Sequence, residues 1–261
     1  MMGSPVIKRW LGGATVAIVT AGYGVYHFRD QQMDKVYAEA AGIPPAFRGV
    51  AEAQAAVRKL GTYRGDRSTV MLLNIALGRT PFAWPEIQRE AMNALASRRD
   101  PKISPPLASL LQPHVPLPTR QAAADTLGSV PCTIDCVQSI LHYLERVWEG
   151  APNYEDRTVF PSGLNEGVKA DLAKEQAALY QTLYTVLKRE GASTMAVLYQ
   201  VYGVGTNAPS KFGILVLSRM QFPGGCPALM QSKKFLDQSS ADSFLAPREE
   251  LGAAVRSLNC R

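Results

Sequence analysis

The chain is poor in the residues that perform acid and base chemistry near neutral pH. Three His occur among 261 residues, so few groups are poised to exchange a proton there. No G-x-S-x-G, H-E-x-x-H or G-x-x-x-x-G-K-[ST] pattern is present, which removes the nucleophile elbow, the zincin helix and the phosphate-binding loop. Gly203-Val204-Gly205 lacks the third glycine of a dinucleotide fingerprint. No polybasic block exists either: 28 Lys and Arg are interspersed with 22 Asp and Glu, for a net charge of +6, so a nucleic-acid tail is excluded. With 46% hydrophobic residues, the chain is long and apolar enough to bury a core, which excludes wholesale disorder.

One stretch lacks charge altogether. Residues 10–28, WLGGATVAIVTAGYGVYHF, contain no Asp, Glu, Lys or Arg, and as a helix they reach across roughly 30 Å of hydrocarbon. Lys8 and Arg9 precede the stretch, whereas Arg29, Asp30, Asp34 and Lys35 follow it and cancel one another. The positive-inside rule then gives a cytoplasmic segment 1–9, a transmembrane signal anchor at 10–28, a juxtamembrane linker at 29–44 and an exported body at 45–261. That body is expected on the periplasmic side in a bacterium, or across the inner membrane of an organelle. Trp10, Tyr23, Tyr26 and Phe28 suit the two interfaces of a retained anchor. A cleaved leader with small residues at Thr20–Gly22 is the alternative, and would release a secreted protein. Gly13, Ala17 and Ala21 recur every four residues as a small-residue stripe, a surface through which two anchors would form a homodimer.

The body reads as helices punctuated by Pro and Gly. Val50, Ala53, Val57 and Leu60 share one face before Gly61; Ser68 or Thr69 caps a second run with Val70, Leu73, Ala76 and Leu77. Pro85 opens a helix carrying Ile87, Ala91, Ala94 and Leu95, and Ser104-Pro105-Pro106 opens a short one with Leu107, Leu110 and Leu111. Thr119 is expected to cap Ala122, Ala123 and Leu127, and the partner helix holds Ile134, Val137, Ile140, Leu141 and Leu144. A longer helix with Leu172, Gln176, Leu179, Leu183, Val186 and Leu187 reaches Gly191, and Met195, Leu198, Tyr199 and Tyr202 form its mate. Phe212, Leu215, Val216 and Met220 follow, then a Pro223-Gly224-Gly225 turn. A last helix, 247–258, is placed to close the apolar end of a stack.

REAMNALASRRDPKISPPLASLL, then TRQAAADTLGSV and VQSILHYL, repeat an Arg-Ala-Leu helix with a Leu-rich partner about 31 residues apart. This segment resembles HEAT repeats, particularly the short bacterial form also called phycobilisome-lyase HEAT-like. Asp100-Pro101 supplies the family's turn in the first copy; the second has Pro131-Cys132 instead. The match is clearest over 85–145. The resemblance implies an all-α superhelix of helical hairpins, a concave face that binds protein partners, and neither catalysis nor a cofactor.

Four Cys in an exported body invite bridges. Cys132 with Cys136 and Cys226 with Cys260 are the favoured pairs, against four buried thiols. A metal set of Cys132, Cys136 and His142 is weaker, because His142 points away from the Cys face. Residues 150–168 form a long connection rich in Pro, Gly and acids. The favoured function is a membrane-anchored scaffold for envelope proteins. The alternative is a tethered or secreted enzyme whose site lies in that connection, with Ser162, Glu155, Asp156 and Glu166 as candidates. His114, between prolines, and the Glu249-Glu250 and Lys233-Lys234 pairs read as solvated surface.

Overall fold

A computed structural model describes residues 29–147, 166–206, 208–238 and 245–260. Among these residues the chain forms helices and turns and no strand. It is therefore all-α, as the spacing predicts. The described chain divides into two compact units at Ala94/Leu95, inside a helix.

The first unit holds α1 (29–40), α2 (Val50–Thr62), α3 (Asp66–Ala76) and most of α4 (Pro85–Ala96). The stretch expected as a linker is thus helical through residue 40. Met33, Val36 and Ala40 of α1 are buried, and its outer acids Asp30 and Asp34 pair with Arg67 of α3 at 3.3 and 2.7 Å. Arg58 of α2 reaches Glu90 of α4 at 3.5 Å. Helix α2 runs one residue past Gly61, whose missing side chain lets Ala94 approach: an added Cβ would sit 3.1 Å from it. Two expectations for α3 are corrected. Its N-cap is Gly65, with Ser68 and Thr69 inside the helix bonding back to the Gly65 carbonyl. Its buried face is Leu72, Ile75 and Ala76, leaving Val70 55% exposed.

At the surface of this unit two loops meet. Gly42 adopts a left-handed φ of 71°, and a Cβ there would lie 2.6 Å from the Phe82 ring, so only glycine admits both the turn and the close approach. Phe82 stacks on Phe47 at 5.2 Å, and Trp84 tilts against Phe47 at 6.5 Å.

The second unit contains the end of α4, then α5 (Ser104–Ala108), α6 (Leu117–Ser129), α7 (Ile134–Arg146), α8 (Glu166–Arg189), α9 (Gly191–Tyr202), α10 (Lys211–Met220), α11 (Cys226–Gln238) and α12 (Leu245–Ser257). Asp100 caps the turn at Pro101 by accepting from the Lys102 amide at 2.9 Å. Helix α6 starts earlier than expected, with Pro116 as N-cap, so Thr119 is buried within its first turn. Thr133 caps α7 by accepting from Cys136 N at 3.3 Å.

Helices in this unit pack on their next-but-one neighbours: α5 on α7, α6 on α8, α7 on α9, α8 on α10, and α10 on α12. That register is compatible with stacked helical hairpins, in which like helices of successive pairs lie side by side. Leu127, Val137, Ile140, Leu141, Leu183, Leu187, Leu198 and Leu217 fill the core between them.

Candidate functional site

An open groove of about 760 Å³ lies between the end of α7, the outer face of α8 and α10. Helical spacing builds it. Gln176, Tyr180 and Tyr184 recur every four residues along α8, with Ala173, Ala177 and Gln181 as a second row. Helix α10 adds Phe212, Leu215, Ser218 and Arg219, and α7 ends at the groove with Leu144 and Val147. Ser210 fixes the start of α10 by accepting from Gly213 N at 3.0 Å, and Gln221 ends it in a left-handed conformation at φ 48°.

Two phenols brace the walls from behind. Arg120 is fully buried; its Nη1 donates to the Tyr143 hydroxyl at 2.8 Å while its guanidinium lies 5.9 Å from that ring's centroid. Tyr143 then meets Tyr180 of the groove at 6.4 Å. On the other side, Phe212 packs on Tyr202 at 5.1 Å, and the Tyr202 hydroxyl donates to Glu145 Oε2 at 3.1 Å. Burial, followed by the charge and hydrogen bond of Glu145, holds the Tyr202 phenol well above the usual tyrosine range. Burial likewise raises Tyr184, partly offset by the nearby Arg219 guanidinium.

The described lining therefore offers amides, two phenols and one guanidinium over an apolar floor. Among the described residues that line it there is no Asp, Glu, His or Cys; the lining can form hydrogen bonds and meet one negative charge.

A second constellation secures the α6–α7 turn. Arg189, at the end of α8, donates to the carbonyls of Leu127 (3.1 Å), Gly128 (2.5 Å) and Val130 (2.6 Å), which the end of α6 leaves without helical partners. Arg189 also pairs with Glu190 at 2.9 Å, and Glu190 Oε1 accepts from Cys132 N at 3.3 Å. Beside this clamp, Cys132 and Cys136 are joined, with Cα atoms 5.5 Å apart. Cys226 and Cys260 form the second bridge, at 5.4 Å, tying the residues after α12 to the start of α11.

Other residues singled out from sequence do not gather. Cys132 and Cys136 spend their sulfurs on each other, and His142 stands apart at the surface, 3.9 Å from Glu145. His114 is exposed in the turn before α6. Lys233 pairs with Asp237 one turn along α11. Glu166 begins α8, so the long connection is shorter than expected at that end; residues 150–165, with Glu155, Asp156 and Ser162, lie outside the described residues. So do residues 1–28, including Gly13, Ala17 and Ala21. Among the described residues no helix is long and apolar enough to cross a membrane.

Sequence reasoning did not find the groove. Gln176 reads as part of a core face, and no local pattern joins α8 to Arg219. The Gln-Tyr-Tyr row at four-residue spacing was the available signal. In comparisons with known proteins, no family model, curated protein or solved structure matches the chain.

Proposed function

We propose that the chain is a membrane-anchored helical-repeat docking protein of the cell envelope. Residues 10–28 hold it in the bilayer, residues 1–9 stay cytoplasmic, and the HEAT-like body stands on the extracytoplasmic side. In this reading the α7–α8–α10 groove receives an extended segment of a partner protein. Two observations support the setting: the next-but-one stacking of helices, and four Cys joined in two bridges, which persist in oxidising compartments.

The observation that carries the docking role is the groove's composition. Gln181 and Gln221 each present both a donor and an acceptor, the set that a peptide backbone satisfies, while Gln176 Nε2 donates to the Tyr180 hydroxyl and fixes that side of the groove. Val147, Ala177 and Leu215 line it with apolar surface for side chains. Arg219 makes no ion pair among the described residues, so an acidic residue of the partner completes it.

The test is a photo-crosslinker in place of Gln181 in the full chain, in native membranes. The expected result is one protein adduct that Leu215→Lys and Arg219→Glu each reduce at least tenfold, with the circular dichroism spectrum unchanged. Adducts that both substitutions leave intact, or adducts to lipid alone, overturn the reading.

A further inference from the structure

We propose that the loops at residues 43–48 and 79–85 form a second membrane contact, which seats the first unit on the bilayer surface beside the anchor. This rests on the anchor reading above. Ile43, Phe82 and Trp84 are 36, 39 and 40% exposed, and they sit on two loops, whereas other exposed large apolar side chains, such as Val70, Ile134, Val201 and Phe235, lie on helices. They cluster: Phe47 bridges Phe82 and Trp84, and Phe82 lies on the backbone of Gly42. The two loops therefore present one surface. Pro44, Pro45, Pro81 and Pro85 interleave with these residues and are exposed too.

Three observations select a lipid surface as the occupant. The first is residue type. An indole and a phenyl at loop tips, not along a helix face, match the interfacial belt, where an amphipathic ring has one wet and one apolar end. The second is charge. Arg48 follows Phe47 directly and Arg79 lies three residues before Phe82; both are exposed, and neither makes an ion pair among the described residues. The nearby acid Glu86 sits in the first turn of α4, where it complements the helix dipole. Two guanidinium groups beside an apolar tip suit the phosphate oxygens of lipid headgroups, with which a guanidinium pairs in bidentate geometry. The third is chain length. Only α1 and a two-residue turn separate the uncharged 10–28 stretch from Ile43, and 12 helical residues (29–40) span about 18 Å. An anchored chain therefore keeps this patch within one short helix of the bilayer.

The experiment uses the full chain with Trp10→Phe and Trp148→Phe, so that Trp84 is the sole indole. It is reconstituted into phosphatidylcholine vesicles containing one quarter phosphatidylglycerol, with bromine placed either near the headgroup or near the chain end. The expected result is flotation with the vesicles and Trp84 emission quenched at least twice as strongly by the shallow bromine. Arg48→Glu with Arg79→Glu is expected to weaken that quenching while flotation persists. A chain that floats while the shallow bromine leaves Trp84 unquenched, or quenches it no more than the deep one, overturns this proposal and keeps the anchor, assigning the patch to a protein partner. A chain that fails to float overturns the anchor, and the second contact with it.

Discussion

A guanidinium in a protein interior survives only if its donors find partners, because desolvating it without them costs several kcal/mol. Arg120 meets that demand in part through Tyr143, whose hydroxyl accepts from Nη1 and whose ring covers the charge. Tyr143→Phe keeps the ring and deletes the acceptor. It is expected to lower stability by about 1–3 kcal/mol, read as a lower urea midpoint at unchanged slope; an unmoved midpoint would show that the hydroxyl is dispensable. Tyr202 supports a prediction of a different kind. Its folded phenol titrates above the ordinary tyrosine value of about 10, so in more alkaline solution the unfolded chain releases a proton that the native one keeps. Stability is then fully present below that value and falls as pH rises through the folded one. Tyr184 shifts in the same direction. Tyr202→Phe is expected to flatten the alkaline fall of the urea midpoint without abolishing it, and parallel curves would exonerate Tyr202.

Among the described elements, the end of α6 depends on a distant side chain. Three carbonyls there take hydrogen bonds from Arg189, 59 to 62 residues away in sequence. Arg189→Ala is expected to cost about 2 kcal/mol in urea unfolding. Arg189→Lys is expected to recover less than half of that, since one ammonium cannot reproduce the planar fork; full rescue would reduce the clamp to simple charge. The two bridges differ in the loops they close, with sequence separations of 34 and 4. Loop-closure entropy then gives about 4 kcal/mol for Cys226–Cys260 and about 2 for Cys132–Cys136. The Ser double substitutions are expected to fall in that order, and the reverse order would mean that native contacts of α12, not chain entropy, set the loss. How far the elements were legible depends on how singular their apolar face is. In α7, Val137, Ile140, Leu141 and Leu144 of the expected face are buried, while Ile134, at the first position of the helix, is 55% exposed. In α3, Val70-Met71-Leu72-Leu73 offers two faces, and packing chose Leu72. Thr119 is a good cap by residue type, yet α6 starts before it because Leu117-Pro118 already satisfies a first turn.

For the molecule as a whole, the helical class follows from spacing, while the groove does not, because it is made by register between α7, α8 and α10. Residues from Leu144 to Gln221 meet there, and nothing local in the sequence sets that meeting. The pairing of the cysteines carries information of another sort, since bridges report the compartment as well as the fold. Export should therefore be readable in the thiols. If residues 10–28 carry the body out of the cytosol, both bridges form, and blocking intact cells with a thiol reagent before denaturation leaves none of the four Cys labelled in the full chain. Deleting residues 10–28 should strand the body among cellular reductants, and all four should then label under the same protocol. The two arms separate the claims. Free thiols in the full chain would overturn the extracytoplasmic placement. Bridges that persist after the deletion would mean that their native geometry resists reduction by itself, so that they no longer speak for export and the anchor must be established by flotation alone.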